Sequence, residues 1–298
     1  MILKKYLRRT KMKAKAKLTL NLNIEDKRED GFNNLKALTV FLNDIYDELT
    51  IKIDSDNVKK LSIEPNNNSL IDGDDNLILK AFNIFLDKLE NEEHKALMEG
   101  ISFIVNKQIP VSAGLGGGSA DAAATLIQLN HLTDNYFDIA YLAKLGSEIG
   151  SDIPACVYSN ALWMQGRGEI INLISDFDTG DLKVLVITPN IYCSTPQVFK
   201  HYDEIGRPKD SGMLEKSLDK YIPKLSNDLS LAAYDLYPEL NQFKNKLDLI
   251  TNYSWNLAGS GSTLFALGNE QELSVFQNEI NNQFSNEMIR LNAISSFI

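Results

Sequence analysis

Cysteine and histidine are scarce in this chain, with two cysteines (Cys156, Cys193) and three histidines (His94, His131, His201) among 298 residues. The cysteines lie far apart and without CxxC spacing, which argues against a zinc site and a disulfide framework and points to a reducing compartment, the cytoplasm. Histidines so scattered do not readily build a Cys/His metal cluster or a Ser–His–Asp site, so the chemistry must rest on other residues. No apolar run approaches the ~20 residues that span a bilayer. Low-complexity linkers and internal repeats are also missing, so two domains, if present, are closely apposed.

What is present is a globular composition, 44% hydrophobic and 23% charged, sufficient for a sizeable core. The net charge of −10 is unevenly placed. Eight of the 30 basic residues fall between Lys4 and Lys17, and the first acid is Glu25. The remainder carries 22 basic against 40 acidic residues, a surface that repels a phosphate backbone and excludes nucleic acid as a partner. The basic start runs into the alternating Leu18–Ile24 rather than an apolar h-region, so it reads as a solvated tail or, with Met12 as a second start, an extension of residues 1–11.

Alternation predicts strands at Leu18–Ile24, Leu49–Ile53 and Lys60–Ile63, with a turn at Asp54–Asn57 and a loop at Pro65–Ser69. Helical spacing covers Leu77–Leu86, Ala120–Leu132 and Asp138–Ile149, and Ile101–Val105 is a short strand. Further strands are expected at Ala155–Met164, Lys183–Ile187 and Thr263–Leu267, and helices at Leu214–Tyr221, Glu239–Asp248 and from Glu270. Strands and helices mix without strict βαβ alternation, which favours an α+β architecture. The joint between two domains falls near Gly166–Gly168.

Between a strand and an alanine-rich helix stands Pro110-Val111-Ser112-Ala113-Gly114-Leu115-Gly116-Gly117-Gly118-Ser119-Ala120. Glycines let backbone N–H groups approach a ligand, and the following helix adds four unpaired N–H groups and the positive end of its dipole, together a cradle for nucleotide phosphates. Ser119 is placed to cap the helix, or alternatively to ligate Mg²⁺. A Walker A loop is excluded because no Gly-Lys-Ser/Thr follows, and a dinucleotide fingerprint lacks its last glycine and its βαβ setting. A plain flexible loop is the remaining reading.

Ile109–Ala123 resembles the central motif of the GHMP kinases. Four more segments carry the resemblance: Ala16-Lys17-Leu18, Asp30-Gly31-Phe32-Asn33, Gly150-Ser151-Asp152-Ile153-Pro154 and Gly259-Ser260-Gly261-Ser262-Thr263. Ser194-Thr195-Pro196-Gln197-Val198-Phe199 supports it, where the family has Thr-Pro-x-x-Phe. The triple glycine followed by Ser-Ala-Asp-Ala-Ala points to the branch that phosphorylates a cytidyl-bearing substrate in isoprenoid-precursor synthesis.

The resemblance implies an N-terminal domain like ribosomal protein S5 domain 2 (residues 1–165), a ferredoxin-like C-terminal domain (166–298), and an active site between them. It implies ATP and Mg²⁺, a small-molecule acceptor, Asp152 as the base that takes the hydroxyl proton, and Lys17 as the cation beside it. Pro110–Ala120 would hold the nucleotide, with Ser119 the candidate metal ligand. Phe32 and Phe199 would stack on the base, with Asn33, Thr195, Gly259, Ser260 and Gly261 around the substrate. Asn33 stands where the family has histidine, and Thr19 where it has asparagine. A sibling kinase acting on phosphomevalonate or homoserine, and a GHMP-fold binding protein without activity, are the alternatives. The first has no need of two aromatic rings, and the second no reason to keep Lys17 and Asp152. Taken without the resemblance, Asp152 is a turn or cap residue before Pro154, and Lys17 ends a lysine face running from Lys11. The sequence carries no signal of oligomeric state.

Overall fold

The computed structural model describes residues 8–53, 63–65, 75–209 and 225–298. In chain order its elements begin with strands β1 (Arg8–Lys27), β2 (Asn33–Ile53) and β3 (Ile63–Pro65), helices α1 (Leu77–Lys88) and α2 (Glu92–Leu97), and strand β4 (Ile101–Asn106). Helices α3 (Gly117–Leu132), α4 (Ile139–Ile149) and α5 (Ile153–Tyr158) follow, then strands β5 (Leu162–Gly166), β6 (Ile170–Leu173) and β7 (Lys183–Pro189). The rest comprises α6 (Thr195–Glu204), β8 (Ser226–Asn227), α7 (Ser230–Leu236), α8 (Pro238–Thr251), β9 (Asn256–Leu257), β10 (Leu264–Gly268), α9 (Glu270–Gln283), a 3₁₀ turn and β11 (Ile289–Ser295). The α+β expectation holds.

The chain divides into two compact units, and the long strands β1 and β2 run through both. The first unit draws on Met1–Lys15, Tyr46–Gln108 and Gly117–Tyr158. There β4 lies antiparallel to β2, from Glu48 opposite Asn106 to Ile53 opposite Ile101, and parallel to β3. Side chains along β4 alternate buried and half-buried, the pattern of a strand with one face on a core. Asn76 caps α1 by accepting from the Ile78 N–H, and the buried face Ile78, Ala81, Phe82 and Phe85 meets the sheet where Phe82 packs edge-on to Phe103. Helix α3 is buried nearly all round, and its alanines let α1 and α5 approach closely. Gly146 of α4 has the same use, since a Cβ there would lie 2.6 Å from Ile153 Cγ2.

The second unit draws on Ala16–Ile45, Ile109–Gly116 and Ser159–Ile298. Its own sheet has the order β11-β7-β10-β9, with β7 antiparallel to both neighbours. The hairpin β5–β6 pairs with the first part of β2, and β8 runs parallel to β1. The core of this unit gathers Ala16, Leu18 and Leu20 of β1, Leu38, Val40 and Leu42 of β2, Val184 and Val186 of β7, and Phe265 and Leu267 of β10. Leu115 and Ala113, from the glycine-rich segment, are part of it. The apolar side chains of Ala113 and Leu115 therefore anchor that segment from beneath, while Ser112 is exposed.

Two expectations are corrected. Ala155–Met164 is not one buried strand: the run splits into helix α5 and strand β5. Ile153 to Val157 are buried throughout, so their pattern is silent on period, and Pro154 is well placed in a first helical turn where its missing N–H has no partner to lose. Ser119 does not cap α3, which begins at Gly117 and leaves Ser119 third in the helix. The expected turn at Asp54–Asn57 and helix at Leu214–Tyr221 lie outside the described residues, as do all but Ile63 of the strand at Lys60 and all but Pro65 of the loop after it. Among the described residues no helix is long and apolar enough to cross a membrane.

Candidate functional site

Within the second unit, two glycine-rich loops meet at the backbone. Gly114 has φ +77°, and a Cβ built on it would stand 2.1 Å from the Ala258 carbonyl oxygen and 3.1 Å from that of Gly261. The Thr263 N–H donates to the Ala113 carbonyl at 3.1 Å. Asn227, itself buried, donates through Nδ2 to the carbonyls of Leu257 and Gly259 and holds the entry of the later loop. At the loop's far side the hydroxyls of Ser260 and Thr195 are hydrogen-bonded at 2.7 Å.

Lys17 belongs to the same assembly. Its N–H donates to the Leu115 carbonyl at 3.0 Å, and its aliphatic stem covers Gly116, where an added Cβ would lie 2.7 Å from Lys17 Cγ. A methyl at Gly259 would lie 3.8 Å from Lys17 Nζ, so one cation sits beside both loops. Nζ also donates to Thr19 Oγ1 at 3.3 Å, two residues along the same strand face. Lys11 and Lys13 on that face are exposed, whereas Lys17 is 7% exposed. A lysine so buried, with its stem packed and its ammonium bonded to the Thr19 hydroxyl, is not part of a solvated face.

In the first unit the glycine-rich segment becomes helix. Gly117, Gly118 and Ser119 form the first turn of α3, whose N–H groups have no partner inside the helix. The turn is fastened at its base by Lys107, whose ammonium donates to Asp47 and, at 2.7 Å, to Asp121, while Asp47 accepts the Gln108 N–H at 2.6 Å. All three side chains are almost fully buried. Burial opposes the Lys107 charge, yet the Asp121 and Asp47 carboxylates hold its pKa above the ordinary lysine value. Burial pushes the Asp121 carboxyl up to about 7, Lys107 pulling it down and Asp47 up. Removing the cation would leave two carboxylates buried together, so Lys107→Met is expected to lower stability by about 3–5 kcal/mol, measured by urea unfolding. Asp152 occupies the N-cap position of α5, its carbonyl accepting the Cys156 N–H at 3.2 Å, and is half-buried.

The residues expected around a base lie in the second unit. Phe32 is 48% exposed, with the Arg167 guanidinium 5.4 Å from its ring centre, and Phe199 is half-buried on α6. Asn33 is buried, and its Oδ1 accepts from Arg207 Nη2 at 3.1 Å. Arginine only donates, so the atom facing it must be the amide oxygen.

The model of the GHMP kinases N terminal domain matches residues 76–160. Over 262 residues the chain is 34% identical to the 4-diphosphocytidyl-2-C-methyl-D-erythritol kinase of Bacillus subtilis (strain 168), covering 86% of each chain. This chain belongs to the 4-diphosphocytidyl-2-C-methyl-D-erythritol kinase family of GHMP kinases. A relative from Staphylococcus aureus (strain Newman), called a putative 4-diphosphocytidyl-2-C-methyl-D-erythritol kinase, is 31% identical over 251 residues, 82% of this chain and 85% of its own. The fold matches a crystal structure of 4-(cytidine 5'-diphospho)-2C-methyl-D-erythritol kinase with TM-score 0.72 and 23% identity, over 97% of this chain and 99% of that one. Homoserine kinase from Cytophaga hutchinsonii ATCC 33406 has the same fold, with TM-score 0.65 and 17% identity, over 100% of this chain and 96% of the other.

Of the site residues expected for this kinase family, the second unit brings together Lys17, Ala113–Gly116 and Gly259–Ser260, with Thr195 on Ser260. Thr19, where asparagine was expected, supplies a hydroxyl to Lys17. Sequence reasoning gave no role to Asn227, Lys107, Asp47, Asp121 and Arg207. Of these only Asp121 lies in a motif, and its partner Lys107 stands outside it. Asn227 and Leu257 are thirty residues apart in the chain, and only folding makes them neighbours.

Proposed function

We propose that this protein transfers the γ-phosphoryl group of ATP to the 2-hydroxyl of 4-diphosphocytidyl-2-C-methyl-D-erythritol. The observation that carries this reading is Lys17, a buried cation packed on Gly116 and beside Gly259, in a chain of that kinase family. The amides of the glycine-rich segment and the first turn of α3 suit the phosphate chain of ATP, and Lys17 offsets charge developing on the transferred group. Asp152 takes the acceptor proton as its oxygen bonds to the γ-phosphorus and the bridge to the β-phosphate breaks, releasing ADP. Mg²⁺ commonly binds through substrate phosphates and few protein ligands, so the Ser119 hydroxyl in that first turn is a fitting donor. Once bound, the ion would neutralise phosphate charge.

On the substrate side, Phe32 and Phe199 offer ring faces to cytosine. With its Oδ1 engaged by Arg207, Asn33 has Nδ2 left to donate, which suits the O2 or N3 acceptors of that base. This is how an amide does the work of the family's histidine. Asn33→Asp would give Arg207 a carboxylate and withdraw the donor. It is expected to raise KM for the cytidyl substrate by roughly tenfold or more, with KM for ATP within about twofold; equal effects on both would remove Asn33 from base recognition.

The direct test is ADP release from Mg-ATP with the cytidyl substrate, phosphomevalonate, homoserine, and no acceptor. Turnover with the cytidyl substrate alone supports the reading. Turnover only with another acceptor moves the protein to a sibling kinase, and silence with all three favours a binding protein.

A further inference from the structure

Strand β11 pairs with β7 along Ile289–Ser295, and its register slips between Ile289, opposite Pro189, and Leu291, opposite Thr188. Arg290 is the extra residue of this bulge. A bulge turns a side chain out of the alternation that its strand would impose. The guanidinium so aimed meets four acceptors: Nε donates to the Pro189 carbonyl at 2.9 Å, Nη1 to the Val111 carbonyl at 2.6 Å, and Nη2 to the Ile191 carbonyl at 2.6 Å and Ser262 Oγ at 3.0 Å. Ser262 Oγ in turn donates to the Ile191 carbonyl at 2.6 Å. The ring of Tyr192 lies 4.2 Å from the guanidinium carbon.

Every one of these partners is uncharged. Among the described residues no carboxylate forms an ion pair with Arg290, and burial lowers its pKa, though not far enough to discharge an arginine. Val111 belongs to the nucleotide loop and Ser262 to the glycine-rich loop near the C-terminus, and these loops already touch at Gly114 and Ala258. A planar fork with five donors can bind acceptors from three segments at fixed angles, which an ammonium on a flexible stem cannot.

We propose that Arg290 is a positioning residue for phosphoryl transfer, holding Val111 and Ser262 so that the two glycine-rich loops stay in register. The proposal rests on the reading that these loops serve ATP. Arg290→Lys keeps the charge and loses the fork. It is expected to lower kcat by about 100-fold, the scale of a 1 Å misplacement, and to raise KM for ATP. KM for the acceptor should hold within about twofold, circular dichroism should match the parent, and melting should fall modestly for the carbonyl bonds lost while the protein stays folded at the assay temperature. In Arg290→Ala, added methylguanidinium is expected to restore part of kcat. Parental kcat and KM for ATP in both variants overturn the proposal, as does a loss that only follows the folded fraction, or failure of both variants to fold. ATP affinity by calorimetry separates the two readings. If the parent protein binds ATP but turns over no acceptor, the functional reading fails alone. Arg290 is then judged by whether Arg290→Lys weakens ATP binding by about tenfold or leaves it unchanged, the latter overturning the proposal.

Discussion

Asp152→Asn is expected to lower kcat by about 10²–10⁴-fold, the contribution of a positioned general base, while ATP affinity by calorimetry stays close to the parent value. The substitution is informative because of where Asp152 sits. It occupies the N-cap of α5, with its carbonyl bonded to the Cys156 N–H. Asparagine is as well accepted at a helix N-cap as aspartate, so the substitution keeps the cap position and removes the carboxylate. If Asp152 served the fold alone, the asparagine variant would work like the parent. Near-parental kcat would therefore remove Asp152 from the chemistry.

Gly114→Ala is expected to be nearly inactive, with kcat lowered by about 100-fold or more, since backbone must move to admit the methyl and a misplacement of 1 Å already costs that much, and with KM for ATP raised. Two effects combine. At φ +77° any residue with a Cβ is strained, by roughly 1–2 kcal/mol. The larger effect is steric: the methyl would meet the Ala258 carbonyl oxygen at 2.1 Å, and that atom is backbone, with no rotamer to change. Gly180→Ala is the control, because Gly180 also has positive φ, +52°, but an added Cβ there meets nothing within 4 Å. It should lose a little stability and no activity. Equal activity in the two variants would show that the contact between the loops is not needed for turnover.

Much of this was legible before folding. The strand within β1, helices α1, α4, α8 and α9, and strand β4 announce themselves by period, because each buries one face. Strands β7 and β10 are short apolar runs buried on both faces and were legible by their length and strand-forming residues. The glycine-rich segment could be read as a phosphate cradle from glycine placement between a strand and a helix, and the ordered motifs identified the family. Legibility failed at α5, where five consecutive buried residues leave no polar face to reveal the period. It also failed at the start of α3, since glycines carry no helical signal.

Lys17 marks the boundary most clearly. By sequence it is one of four lysines at alternating positions, separated from Lys11, Lys13 and Lys15 only by a short motif. In the fold it is buried and packed on Gly116, while Lys11 and Lys13 are exposed. The sequence by itself determined local conformation, the motif set and the class of ligand, because these depend on neighbours along the chain. Only the tertiary structure decided that Gly114 meets Ala258, that Arg207 orients Asn33, and that Arg290 reaches Val111 across 179 positions. Those contacts join residues far apart in sequence, and their geometry exists only once the sheets have closed over a shared core.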